Sequence, residues 1–109
     1  MESWRLTEIA TPGGSRSPVV IHSEDAGRAV LIGLDPGQEL RDHQVKEYAF
    51  LQVVDGEVEI EAGGDRVLAP AGTLVHFEPD ERRAIASKSG ARLLLFLAPW
   101  PGEGHYRSD

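Results

Sequence analysis

The stretch Asp42 to Ile60, DHQVKEYAFLQVVDGEVEI, places two β-prone runs on either side of Asp55-Gly56. Asp-Gly between such runs is a strong hairpin signal, because a two-residue hairpin turn needs positive φ at its central residues. EYAFLQVV and EVEIEA are therefore predicted as strands joined by a tight turn. Side chains alternate along a strand, so Val58 and Ile60 share one face and Glu57, Glu59 and Glu61 the other. The acidic face is predicted to be solvated and to discourage edge pairing.

The same grammar extends outward. SPVVIHS and RAVLIGL read as strands around the turn EDAG, and LDPGQELRD as a turn or loop. GGD makes a further turn before RVLAP. GTLVHF, RRAIAS and ARLLLFLAP supply three more strands, with SKSG between the last two. LLLFLAP cannot be divided into two faces and is predicted to be buried on both sides. ATPGGSRSP reads as a flexible loop and WPGEGHYRSD as an irregular tail. Eight or nine short strands, punctuated by 12 glycines and 7 prolines, with no helical period and no internal repeat, predict an all-β sandwich or barrel.

Composition narrows the function classes. A length of 109 residues predicts one domain. Eleven basic against 18 acidic residues give a net charge of −7, which argues against nucleic-acid and anionic-membrane partners, since both require a basic face. There are no cysteines, so disulfides, thiolate metal sites and cysteine nucleophiles are excluded. No apolar run approaches the roughly 20 residues that span a bilayer. MESWRLTEIA has no apolar signal core, so a cytoplasmic location is expected.

PGQELRDH, LQVVDGEVEI and AGTLVHFEPDERRAIAS together resemble the cupin superfamily, the germin- and RmlC-like jelly rolls. The resemblance covers roughly residues 30–98. It implies a single antiparallel jelly-roll β-barrel domain over 1–109, with the N-terminal strands and the C-terminal tail flanking the barrel. It also implies a homodimer, and Trp4 and Trp100, the latter between Pro99 and Pro101, are candidates to cover either a barrel end or a partner. In the first family motif, Gly37 and Gly56 stand at the expected distances, and the three metal-ligand positions are His43, Val45 and Ala49. In the second, Gly72 opens the motif, Pro79 arrives one residue late, and the ligand position carries Arg83.

Only His43 of these can donate a lone pair. A first-row transition metal needs about three protein donors, and a guanidinium opposes a cation. No cofactor is therefore expected. Taking Ala49 as inward, strand parity turns Leu51 and Val53 inward, with Val45 beside them and Glu47 at the same parity. The site candidates are His43, Val45, Glu47, Ala49, Leu51 and Arg83, an apolar wall gated by His43 and Arg83. The planar fork of Arg83 suits a carboxylate or phosphate, so a small organic anion is the expected ligand. Two enzymatic alternatives remain open. One is an oxygenase or isomerase holding a divalent transition metal through His43, Glu47 and His76. The other is a cofactor-free isomerase with His43 as base near Glu47. Against these stand simpler readings: Glu47 as a surface charge, Arg83 as a turn residue paired with Asp80 or Glu81, and His76 as a core or outward-face residue. Tyr48 is predicted to pack away from the cavity. His22 and His105 carry little signal.

Overall fold

In the computed structural model, residues 1–103 are described, except the side chains of Asp42 and His43. Eight strands form: β1 (Val19–Glu24), β2 (Gly27–Leu34), β3 (Glu39–His43), β4 (Tyr48–Ala62), β5 (Asp65–Pro70), β6 (Leu74–Phe77), β7 (Arg83–Ala86) and β8 (Ala91–Ala98). All pairings are antiparallel. One sheet, A, runs β1-β2-β8-β4-β6, and the other, B, runs β3-β7-β4-β5. Among the described residues, no helix is long and apolar enough to cross a membrane.

β4 belongs to both sheets. Its first half pairs with β6 and β8, and its second half with β5 and β7. The predicted hairpin at Asp55-Gly56 is therefore wrong. The chain does not reverse there; the pairing with β8 slips between Val53 and Asp55, and Gly56 takes φ of +79°. A bulge with a positive-φ glycine uses the same local conformation that a tight turn needs, but bends the strand instead of closing it. Gly56 also sits where a Cβ would clash with the carbonyl oxygen of Gly90 and come within 2.9 Å of the Ala91 Cα. The hairpin lies further on, at Gly63-Gly64. Both residues have positive φ, and Ala62 pairs with Asp65.

Two other expectations need correction. LDPGQELRD is not all loop, because its second half forms the start of β3. Gln38 organises the preceding turn: its side-chain carbonyl accepts N–H bonds from Asp35 at 2.9 Å and Ser15 at 3.1 Å. LLLFLAP is not buried on both sides either. Leu93, Leu95 and Leu97 enter the core, while Leu94 is half-buried and Phe96 is 42% exposed. Parity separates the faces of an all-apolar strand, and burial of the outer face depends on whether another segment covers it.

The core lies between the sheets. It contains Val30, Ile32 and Leu34 of β2, the inward residues of β4 from Ala49 to Ile60, Phe77, Ile85, and the three inward leucines of β8. On the outer face of sheet A, the Arg92 guanidinium donates to the carbonyl oxygens of Leu6 at 2.6 Å and Ile9 at 2.8 Å. Those bonds tie the N-terminal segment across the sheet. Thr11 then packs directly on Gly33, where a side chain would displace it.

The two glycine types separate conformation from contact. Gly63→Ala meets nothing but carries an unfavourable positive φ; it is expected to cost about 1 kcal/mol. Gly56→Ala adds the clash with Gly90 and is expected to cost at least about 3 kcal/mol. Urea unfolding of the two variants measures the difference, and equal losses would show that the corner tolerates a side chain.

Candidate ligand site

Arg83 is the feature of the barrel interior that demands an account. β7 turns Arg83 and Ile85 inward and leaves Ala84 and Ala86 on the outer face. The Arg83 backbone is paired on one side with His43 of β3 and on the other with Ala62 of β4. Its side chain is only 2% exposed, and its guanidinium carbon lies 4.5 Å from the centre of the buried Phe77 ring. The ring face offers a cation–π contact. It offers no acceptor, and among the described residues Nε and Nη1 of Arg83 have no hydrogen-bond partner. Burial pushes the guanidinium below its ordinary pKa, and the Glu81 carboxylate offsets that only in part.

The reading of Arg83 as a solvent-facing, ion-paired turn residue is thus overturned. Its two suggested partners are engaged elsewhere: Asp80 pairs with Lys46 at 2.9 Å, and Glu81 accepts the N–H of Glu78 at 3.0 Å. Beside Arg83 the wall is apolar. Ala49 pairs with Phe77 across β4 and β6, and Ala49 and Leu51 are buried in the core. Val45, in the β3–β4 loop, is half-buried and packs against the same cluster. The side chain of His43 and all of His105 lie outside the described residues.

Glu47 is not a surface charge. It is 1% exposed, and its Oε2 accepts the backbone N–H of Gly102 at 2.6 Å. That bond fastens the segment after β8 back across the barrel end. In the same segment, Trp100 donates its N–H to Asp25 O at 3.1 Å, takes the Arg28 guanidinium over its ring at 3.9 Å, and packs on the core. Trp100 therefore covers its own barrel. Gly102 lies so close that a Cβ would come 3.0 Å from the Glu47 Cγ. A motif search centred on β4 does not find this role, because the partner stands 55 residues away.

His76 faces the opposite way. Val75 and Phe77 take the inward parity of β6, which puts His76 on the outer face. There its ring lies 4.9 Å from Phe50 and 6.2 Å from Tyr48, with Nδ1 3.5 Å from a Glu78 oxygen. The alternative metal set of His43, Glu47 and His76 does not converge, since Glu47 is buried in the β3–β4 loop while His76 faces outward from β6. Among the described residues, no group of three or more histidines and carboxylates is placed to hold a metal. Val45 and Ala49 offer no lone pair, and the buried guanidinium opposes a cation. The described residues do not fit a metal ion.

Two facing antiparallel sheets, joined by one strand that crosses between them, form a jelly roll of the cupin type. Residues 26–97 match the family model of the AraC-like ligand binding domain, and the chain belongs to that family. No curated protein matches the chain in sequence. Among solved structures, an RmlC-like cupin from Desulfovibrio desulfuricans is 22% identical, with a TM-score of 0.79 over 91% of this chain and 97% of that one. A conserved protein with a double-stranded β-helix domain from Klebsiella pneumoniae is 18% identical, with a TM-score of 0.77 over 94% and 93%. An RmlC-like cupin from Shewanella frigidimarina is 21% identical, with a TM-score of 0.74 over 82% and 81%. At these identities the likeness is one of fold.

The clasp between Glu47 and Gly102 is testable. Glu47→Ala removes a buried hydrogen-bond acceptor and is expected to cost about 1–3 kcal/mol in denaturant unfolding. Glu47→Gln keeps an acceptor oxygen and should recover most of that loss. Equal losses would mean that the bond to Gly102 contributes nothing.

Proposed function

We propose that this cupin binds a small organic anion inside the barrel, with Arg83 as its anchor and no metal ion, as a cytoplasmic ligand-binding module. The observation that carries the reading is the buried guanidinium, two of whose nitrogens have no acceptor among the described residues. Holding such a charge away from water costs several kcal/mol unless acceptors are supplied. A carboxylate entering the barrel supplies them as charge-assisted hydrogen bonds, which are stronger than neutral ones. It also restores the proton affinity that burial has taken from the guanidinium. The Phe77 ring holds the cation in position from one side. Val45 is half-buried and packs with the buried Ala49 and Leu51 in the apolar core. Membership of a ligand-binding family supports a small-molecule role.

The test couples binding to stability. Thermal-shift and calorimetric titrations would use a panel of keto acids, sugar acids and aromatic acids, with neutral sugars as controls. At least one carboxylate is expected to raise the unfolding temperature of the wild type, and Arg83→Met should abolish that rise. Without ligand, Arg83→Met should be more stable by about 1–4 kcal/mol, because it replaces an uncompensated buried charge with an apolar chain of similar length. A destabilised Arg83→Met, together with no carboxylate binding, would sink the proposal. Binding of a neutral sugar that survives the substitution would replace the anion with an uncharged ligand.

The metal-free part has its own check. Elemental analysis of protein prepared without a histidine tag is expected to give well under one transition-metal ion per chain. A full complement would return the barrel to metal chemistry.

A further inference from the structure

Phe77 ends β6 and Arg83 begins β7, so the guanidinium and its ring stand beneath one end of the barrel. On their inner side lie Val75, Ile85 and the rest of the apolar core. Two connections cross between the sheets at this end. The β6–β7 turn, residues 78–82, joins Phe77 to Arg83. The β3–β4 loop, residues 44–47, runs from His43, the backbone partner of Arg83, to the strand that brings Ala49 beside Phe77. The two connections are bonded to each other. The Asp80 N–H donates to Val45 O at 2.8 Å, and Lys46 Nζ meets an Asp80 carboxylate oxygen at 2.9 Å. The segment after β8 holds the same loop from another side, through Gly102 and Glu47.

We propose that the β3–β4 loop is the gate of the Arg83 site, latched shut on Asp80 and Gly102 and released to admit the anion; this rests on the anion-binding reading of Arg83. Three observations select this loop. First, Arg83 is 2% exposed, so an anion reaches it only if the structure around it opens. Second, the two connections are braced differently. The β6–β7 turn is closed by its own bonds: the Glu81 N–H donates to Glu78 O at 3.2 Å, and the Glu81 carboxylate accepts the Glu78 N–H at 3.0 Å. The ties of the β3–β4 loop run outward instead, to Asp80 and Gly102, and they break without unmaking a turn. β3, which feeds the loop, is an edge strand whose pairing with β7 is irregular between Leu40 and His43. Local opening draws on such lightly held segments. Third, the latch is strained. Asp80, at φ of +64°, is the one residue other than glycine at positive φ among the described residues. Such conformations persist where the surroundings hold them, and they cluster at clamps and switches. Asp80 gives the loop both its N–H and its carboxylate. Val45 is then the plug, half-buried against the core while the loop is shut and withdrawn with it on opening.

The rate at which phenylglyoxal modifies Arg83, followed by peptide mapping in a mass spectrometer, reads the gate without any ligand. Arg82, exposed on the same turn, is the internal reference. In the wild type Arg83 is expected to react at least about 100-fold more slowly than Arg82. Lys46→Met cuts an exposed ion pair and should speed Arg83 modification about 2–5-fold. Glu47→Ala cuts the buried bond to Gly102 and should speed it about tenfold. Arg92→Met frees the N-terminal segment on the outer face of sheet A and should leave the rate unchanged. Three results each overturn the gate: Arg83 reacting as fast as Arg82 in the wild type, a rate unmoved by both loop variants, or equal acceleration by Arg92→Met, which would trace exposure to global unfolding. The carboxylate titrations decide the anion reading separately. Stabilisation by a carboxylate with modification indifferent to the loop keeps the site and removes the gate. Loop-dependent modification with no carboxylate bound keeps the gate over Arg83 and removes the anion.

Discussion

The whole architecture depends on one strand being shared by two sheets. β4 is 15 residues long, and every strand except β1, β2 and β3 pairs with it directly. A strand of that length cannot stay straight and serve two facing sheets, so it must bend. The bend is made at Val53–Gly56, where a register slip and a positive φ coincide. Close packing of Gly90 and Ala91 against the bend leaves no room for a side chain. Because inward parity resumes correctly beyond it, Val58 and Ile60 join the same core as Leu51 and Val53. A one-residue error at the corner would turn the glutamates of the second half inward.

Within that frame the interior is closed by apolar contacts, with two charged exceptions that solve the burial problem differently. Glu47 is held by a backbone N–H from the segment following β8, so its burial organises the chain. Arg83 has the Phe77 ring beside it, and among the described residues its Nε and Nη1 find no acceptor. A cation–π contact contributes about 1–2 kcal/mol in a desolvated site, less than the cost of burying the charge. The remainder is the energetic argument behind the anion site proposed for Arg83.

The two outer faces show how the same strand period yields unlike surfaces. On sheet B, Arg66 of β5 bridges Glu59 at 3.5 Å and Glu61 at 2.6 Å across the strand pair. These exposed pairs contribute little to stability, but they keep the face solvated and polar. On sheet A, the alternating positions of β4, β6 and β8 are filled with rings and leucine instead. The polar face requires water and the apolar face requires a cover, and the N-terminal segment supplies that cover over part of sheet A only.

The sequence by itself determined what is local. The strand period and the turn residues specify an all-β sandwich or barrel, the family resemblance adds the jelly roll, and parity places Ala49, Leu51, Val58 and Ile60 inward and Tyr48 outward once the strands are phased. Gly63-Gly64 and Asp55-Gly56 are both positive-φ signals, yet only the first reverses the chain. The φ angle is a property of one residue, whereas turning or bending depends on which strands lie alongside. Tertiary structure alone decided that Arg83 is buried, because burial is set by the opposing sheet and not by the neighbours in sequence. For the same reason it decided that Glu47 meets a backbone N–H 55 residues away and that Phe96 stays 42% exposed. Periodicity assigns a side chain to a face; only the packing of distant segments determines whether that face meets water, core or another surface.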